Sequence, residues 1–259
     1  MECSRSAQTK LEPFLALINL LYETVTKCAG KLLVMTAFAF LPGTQGVSPL
    51  GLIFYDGPEA EARSLAAPIF DLGPVMNQVS MKRYPQVTVV SPVMVGPPTH
   101  QRYACRNVQL VPPIDTESIK GVVEDFGAFV DKYDASVSPS KVALELRYSG
   151  VTSSVPVNAI AYAGRRRACV IIAEAQYDDA ALDTAMRSEV KTMIENLKER
   201  LIKNARHGDE DTFVLNANIG TGDEKAQSIF RENLPRLKEL KKKYEQGFIF
   251  DKWFPIKPE

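Results

Sequence analysis

Between residues 141 and 149 the chain reads KVALELRYS, and its alternation sets Glu145 and Arg147 on one side of a strand, with Val142, Leu144, Leu146 and Tyr148 on the other. A carboxylate and a guanidinium sharing a polar strand face can act on a substrate, or can form an ordinary cross-strand surface pair. The run of Arg165, Arg166 and Arg167 stands just before an apolar stretch. It is either a solvated approach to a strand or a clamp for a carboxylate or phosphate, the latter if backbone amides converge on it. Asn216 and Asn218 share one face of TFVLNANI, and Asn233 precedes an amphipathic helix, where asparagine is a favoured cap. The stretch IGTGDEK (219–225) resembles a phosphate loop only superficially: its glycines are too close together and a turn follows.

Other chemistries are excluded by what the chain lacks. It has two histidines, His100 and His207, and four cysteines (Cys3, Cys28, Cys105, Cys169) that form no C-x-x-C pair. A Cys/His zinc site therefore has no ligand spacing to rest on, and the thiols read as reduced and structural. A Ser-His or Cys-His device has no motif behind it, and no G-x-S-x-G or G-x-x-x-x-G-K-[ST] is present. Lysine plus arginine and aspartate plus glutamate balance at 31 each, so the chain carries no net charge with which to seek nucleic acid or an anionic membrane. The apolar patch near the start is interrupted by Glu12, Pro13, Glu23 and Lys27, too soon for a bilayer span and without a cleavage signature. A folded helix and a cytoplasmic location are expected.

The elements that must position these residues form an α+β pattern. Helical spacing runs from 11 to 29, strands are predicted at 32–41 and 49–55, and a helix spans 58–72. Residues 73–98 are rich in proline and read as irregular with short strands. Further strands are expected at 102–110, 141–149, 168–177 and 212–219. Helices are expected from Asp115 or Thr116 to Tyr133, over 179–205, and at the C-terminus. Short connections favour an antiparallel sheet of about six or seven strands with helices on one face, in a single domain over 1–259.

The segment NANIGTGDEKAQSIFRENLPRLKELKKKYEQGFIFDKWFPI, starting at Asn216, resembles the carboxyl end of the berberine-bridge-enzyme-like, FAD-linked oxidoreductases of the vanillyl-alcohol-oxidase type. Asn216 fits that family's strand position and Asn233 its turn position. Arg236, Leu237, Leu240, Lys241 and Tyr244 fit its last helix, and Phe250 and Trp253 its aromatic tail. The matching segment covers about 212–256. LIFYDGPEAEA (52–62), DLGPVMNQVSMKRYPQV (71–87) and AIAYAGRRRACVIIA (159–173) resemble fungal members. The sequence departs from the pattern at Phe230-Arg231, where the family has Tyr-Gly, at Glu245-Gln246, where it has Asp-Pro, and at Gly164, where many members place a polar or imidazole group before Arg.

The resemblance implies a substrate domain without the N-terminal FAD-binding domain, and hence weak FAD binding by this chain alone. It also implies oxidation or cyclisation of a small natural product in specialised metabolism. Glu145, Arg147 and Tyr148 are then the catalytic candidates, and Asn216, Asn218, Asn233 and Arg165 the cofactor contacts. Two other readings stay open: a cofactor-free cyclase or isomerase using the retained pocket, and a non-catalytic domain that needs a partner. The face meeting a flavin domain is expected to be apolar, which predicts a separate flavin domain or a homodimer, with neither nucleic acid nor membrane as a partner.

Overall fold

The computed structural model describes residues 2–41, 43, 46–87, 102–204, 213–245 and 247–257. Five strands form one wholly antiparallel sheet: β1 (Leu32–Ala39), β2 (Ser48–Tyr55), β3 (Arg102–Leu110), β4 (Lys141–Leu146) and β5 (Cys169–Tyr177), in the spatial order β2-β1-β4-β5-β3. Seven α-helices bounded within the described residues accompany them: α1 (Glu2–Lys27), α2 (Glu59–Phe70), α3 (Thr116–Tyr133), α4 (Gly150–Ser153), α5 (Asp183–Lys203), α6 (Ala226–Phe230) and α7 (Leu234–Tyr244).

The alternation of each strand decides where the core lies. Val34 and Phe38 of β1, Val142, Leu144 and Leu146 of β4, Val108 and Leu110 of β3, and Cys169 and Ile171 of β5 all point to one face and are buried. On that face α1 lays Phe14, Leu15, Ile18, Leu21 and Val25, α3 lays Ile119, Val122, Phe126 and Val130, and α5 lays Met186, Ile194, Leu197 and Leu201. These positions recur every three or four residues, so each helix presents one apolar stripe to the sheet. Asp115 caps α3 by accepting from the Ser118 amide at 3.1 Å, and the bidentate pair of Arg200 with Asp125 (2.8 and 2.9 Å) ties α5 to α3.

The sheet has five strands among the described residues, not six or seven. Among the described residues of the expected 212–219 strand only Val214 makes a bridge, to Gln109, with backbone bonds of 2.8 and 3.3 Å. Two residues on, the Asn216 side chain accepts from the Asn218 amide at 3.0 Å and turns the chain away, the local bonding that makes asparagine a turn residue. The segment still protects an edge: Asn107 of β3 donates to the carbonyl of Asn216 and accepts from its amide at 2.8 Å. Residues 73–83 hold no strand, and 88–101, with His100, lie outside the described residues, as does His207. No helix among the described residues is long and apolar enough to cross a membrane.

The amphipathic last helix buries little of its apolar side. Leu234 is buried, Leu237 and Leu240 are only partly so, and Tyr244 is 73% exposed. α7 lies at the margin of the molecule, beyond the reach of the main core.

Candidate functional site on the polar face of the sheet

The face of the sheet turned away from α1, α3 and α5 carries the polar chemistry, and the strand register lays it out in rows. Met35, Glu145, Val170 and Gln109 form one row across β1, β4, β5 and β3. Ala37, Ala143, Ile172 and Asn107 form the next, followed by Ala39, Lys141, Glu174 and Cys105. Rows on one face are about 7 Å apart, so Glu145 and Lys141 stand about 13 Å from each other along β4. Between them lie Ala37 and Ala143, both buried, and the half-buried Ile172.

At one end Glu145 and Arg147 lie on the same face, Arg147 Nε standing 3.7 Å from Glu145 Oε1. The β4–β5 ladder continues past the end of the strand, with the Arg147 amide donating to the Ala168 carbonyl at 2.8 Å. In the row with Glu145, the fully buried Gln109 accepts a 2.7 Å hydrogen bond at Oε1 from the Tyr162 hydroxyl. Its Nε2 has no partner, and neither do the buried Arg147 Nη2 and Arg165 Nε. At the other end Lys141 Nζ meets Glu174 Oε1 at 2.6 Å, and Gln176 Nε2 donates to the same oxygen at 2.5 Å. Beside them the Cys105 thiol bonds the Tyr103 hydroxyl at 3.1 Å. Burial pushes both groups towards their protonated forms, although the contact with Tyr103 partly offsets this at Cys105.

Of the residues singled out in the sequence, Glu145 and Arg147 thus share a face with Gln109, two strands away in the row of Glu145, and with Lys141, two rows along β4. Tyr148 stands on the opposite face, packed against the core and lying over Gly30 and Gly150, so it does not join them. Asn216 and Asn218 do not form a strand face: the side chain of Asn216 is spent on its turn. Asn233, buried, neither caps α7 nor points to open space; its Nδ2 donates to the carbonyls of Val157 and Ile160 at 3.1 Å and ties that loop down. The backbone carbonyl of Arg165 accepts from the Thr152 hydroxyl at 3.0 Å. In IGTGDEK the amides of Thr221 and Gly222 are taken by the carboxylate of Glu224 (3.0 and 2.9 Å), which also pairs with buried Arg106. The turn supplies its own anion in place of a phosphate.

No family model matches the chain. It is 36% identical over 256 residues to the FAD-linked oxidoreductase pgmH of Aspergillus terreus, covering 96% of this chain and 52% of that protein. Its fold matches chitooligosaccharide oxidase (TM-score 0.67, 15% identity) and the Physcomitrella patens BBE-like 1 protein (TM-score 0.69, 14% identity). It covers 53% and 52% of those two chains, and they cover 95% and 98% of it. A berberine bridge enzyme variant superposes with TM-score 0.65 at 12% identity. Over nearly its whole length the chain is similar to part of an FAD-linked oxidoreductase, and it shares the fold of part of the berberine-bridge-like structures. It spans about half the length of the curated relatives it matches. The polar sheet face is the surface of this chain with chemistry to offer.

Proposed function

We propose that this chain supplies the substrate-facing sheet of an FAD-linked oxidoreductase that oxidises or cyclises a small natural product, with Glu145 as its general base. The observation that carries the reading is the presence on one face of Glu145, Arg147 and donors without partners. That surface offers a carboxylate and hydrogen-bond donors to a polar small molecule. It does not fit a pyrophosphate, since the glycine-rich turn of the described residues has two of its amides filled by Glu224. When bound, FAD supplies the hydride acceptor. The chain's own part is to take a proton from the substrate hydroxyl at a Glu145 carboxylate oxygen. Arg147 holds that carboxylate in place.

A surface for a flavin-carrying partner or domain also belongs to this reading. Val75 (95% exposed), Met76 and Tyr84 in one segment, and Phe250 and Trp253 in another, expose apolar side chains that such a surface would use. The test is to purify the protein under native conditions with whatever accompanies it, record its visible spectrum, and add alcohols and phenols anaerobically. Flavin bands that bleach on addition support the proposal. A colourless preparation that neither takes up added FAD nor acquires it from an accompanying polypeptide refutes it.

A further inference from the structure

We infer that β2 is a docking edge on which a second copy of this chain pairs antiparallel, carrying one sheet across both copies. β2 is an outermost strand, and no residue of it is buried, although β1 beside it is largely so. The opposite edge of the sheet is treated differently, since Val214 and Asn216 bond to β3 there. Among the described residues nothing pairs with the outer side of β2. An edge left in this way offers a row of backbone donors and acceptors to another strand.

Which groups face outward follows from the ladder. The Asp56 amide donates to the Lys31 carbonyl at 2.9 Å, in register with the β1–β2 pairs. Backbone groups alternate in direction along an antiparallel strand, so Ser48, Leu50, Leu52 and Phe54 bond to β1, and Pro49, Gly51, Ile53 and Tyr55 point outward. The far side of β1 agrees: the Phe40 amide donates to the Ser140 carbonyl, in register with β4, which leaves Leu33, Met35 and Ala37 for β2. Pro49 therefore lacks only an N–H that would have faced the open edge. At Gly51 an added Cβ would meet nothing within 4 Å.

The occupant is a second copy because β2 complements itself. With a two-fold axis at Leu52, Gly51 of each copy faces Ile53 of the other, and Tyr55 faces Pro49. The outward N–H groups of Gly51, Ile53 and Tyr55 then all find carbonyls, and the proline leaves no donor over. Between these pairs Leu52 meets Leu52 and Leu50 meets Phe54, apolar cross-strand pairs of the kind that stabilise sheets. β2 carries no charged residue, and the nearest in sequence, Asp56, falls opposite Ser48, so no like charges meet.

Light scattering on the native protein over a concentration series should give twice the mass of one chain. Leu52→Lys and Leu52→Glu each set like charges opposite one another and should return the single mass. Mixing the two variants in equal amounts should restore the doubled mass, a result that misfolded variants could not give. The register is read separately by Leu52→Cys. Facing residues in a pair without backbone hydrogen bonds have Cα atoms about 4.5 Å apart, within reach of a disulfide. Mild oxidation should cross-link two copies of that variant, whereas Leu50→Cys, opposite Phe54, should not respond beyond the native protein. A single mass at every concentration, a doubled mass that persists in both charge variants, or equal cross-linking through Leu50→Cys would overturn the inference. Association only with an accompanying flavin-carrying polypeptide would also overturn it, while leaving the oxidoreductase reading in place.

Discussion

Replacing Lys141 by methionine tests whether the polar face is a built surface or a casual one. Lys141 and Glu174 pair at 2.6 Å with side chains only 9% and 14% exposed, and Glu174 also accepts from Gln176. Removing the lysine leaves a carboxylate with little access to water. Breaking a buried pair in this way costs about 3–5 kcal/mol, because the desolvation already suffered by the remaining charge is no longer compensated. The double variant Lys141→Met/Glu174→Leu removes both charges and leaves Gln176 short of one acceptor, which costs about 1–2 kcal/mol. The expected coupling between the two positions is therefore at least about 2 kcal/mol. Urea unfolding of the native protein, both single variants and the double provides the cycle, read by far-ultraviolet circular dichroism. If Lys141→Met falls within about 1 kcal/mol of the native protein, the pair behaves as an exposed one. The burial argument for this face then fails.

Three further outcomes are expected. Asn233→Ala should leave the carbonyls of Val157 and Ile160 without their donor, destabilise by about 1–3 kcal/mol and expose the 154–162 loop to limited proteolysis. At Asp223 burial pushes the carboxyl up, but hydrogen bonds from Thr221 and Lys191, with the charges of Arg106 and Lys191, outweigh it and hold the group down at about 2. Its contribution is therefore complete above about pH 4 and is lost as pH falls towards 2. The side chain is half exposed, so Asp223→Asn should change acid unfolding by no more than about 1 kcal/mol in that window. Burial drives the Cys169 thiol far above its ordinary range, so iodoacetamide should modify it only in denaturant, whereas the half-buried Cys28 reacts in the native protein.

The regular elements were legible because periodicity and burial agree. RYACRNVQL forms β3 over the expected residues, and Asp115 stands before α3 where a cap is required. KVALELRYS also disclosed which of its residues share a face, so the pairing of Glu145 with Arg147 followed from period two alone. What could not be read was anything set by contacts across the chain. Gln109 lies in a strand like any other, and only the return of the 159–164 segment brings Tyr162 and Gly164 against it. The asparagines misled for a related reason. Their side chains suit caps, turns and ligands equally, and the structure spends Asn216 on a turn and Asn233 on a loop. The missing sixth strand follows from the same turn chemistry. The signal that could have flagged Gln109 was a long amide between the core positions Val108 and Leu110, on the opposite face of a strand buried along most of its length.

The measurement closest to the central claim is the anaerobic rate of flavin reduction by substrate in natively purified protein, native against Glu145→Gln. The substitution keeps the size of the side chain and removes its ability to take a proton. A general base contributes about 10²–10⁴-fold, so the account predicts a rate at least a hundredfold lower with substrate binding retained. Reduction of the Glu145→Gln protein at the native rate would contradict the assignment of Glu145, and with it the polar face of the sheet as the place where this chain meets its substrate.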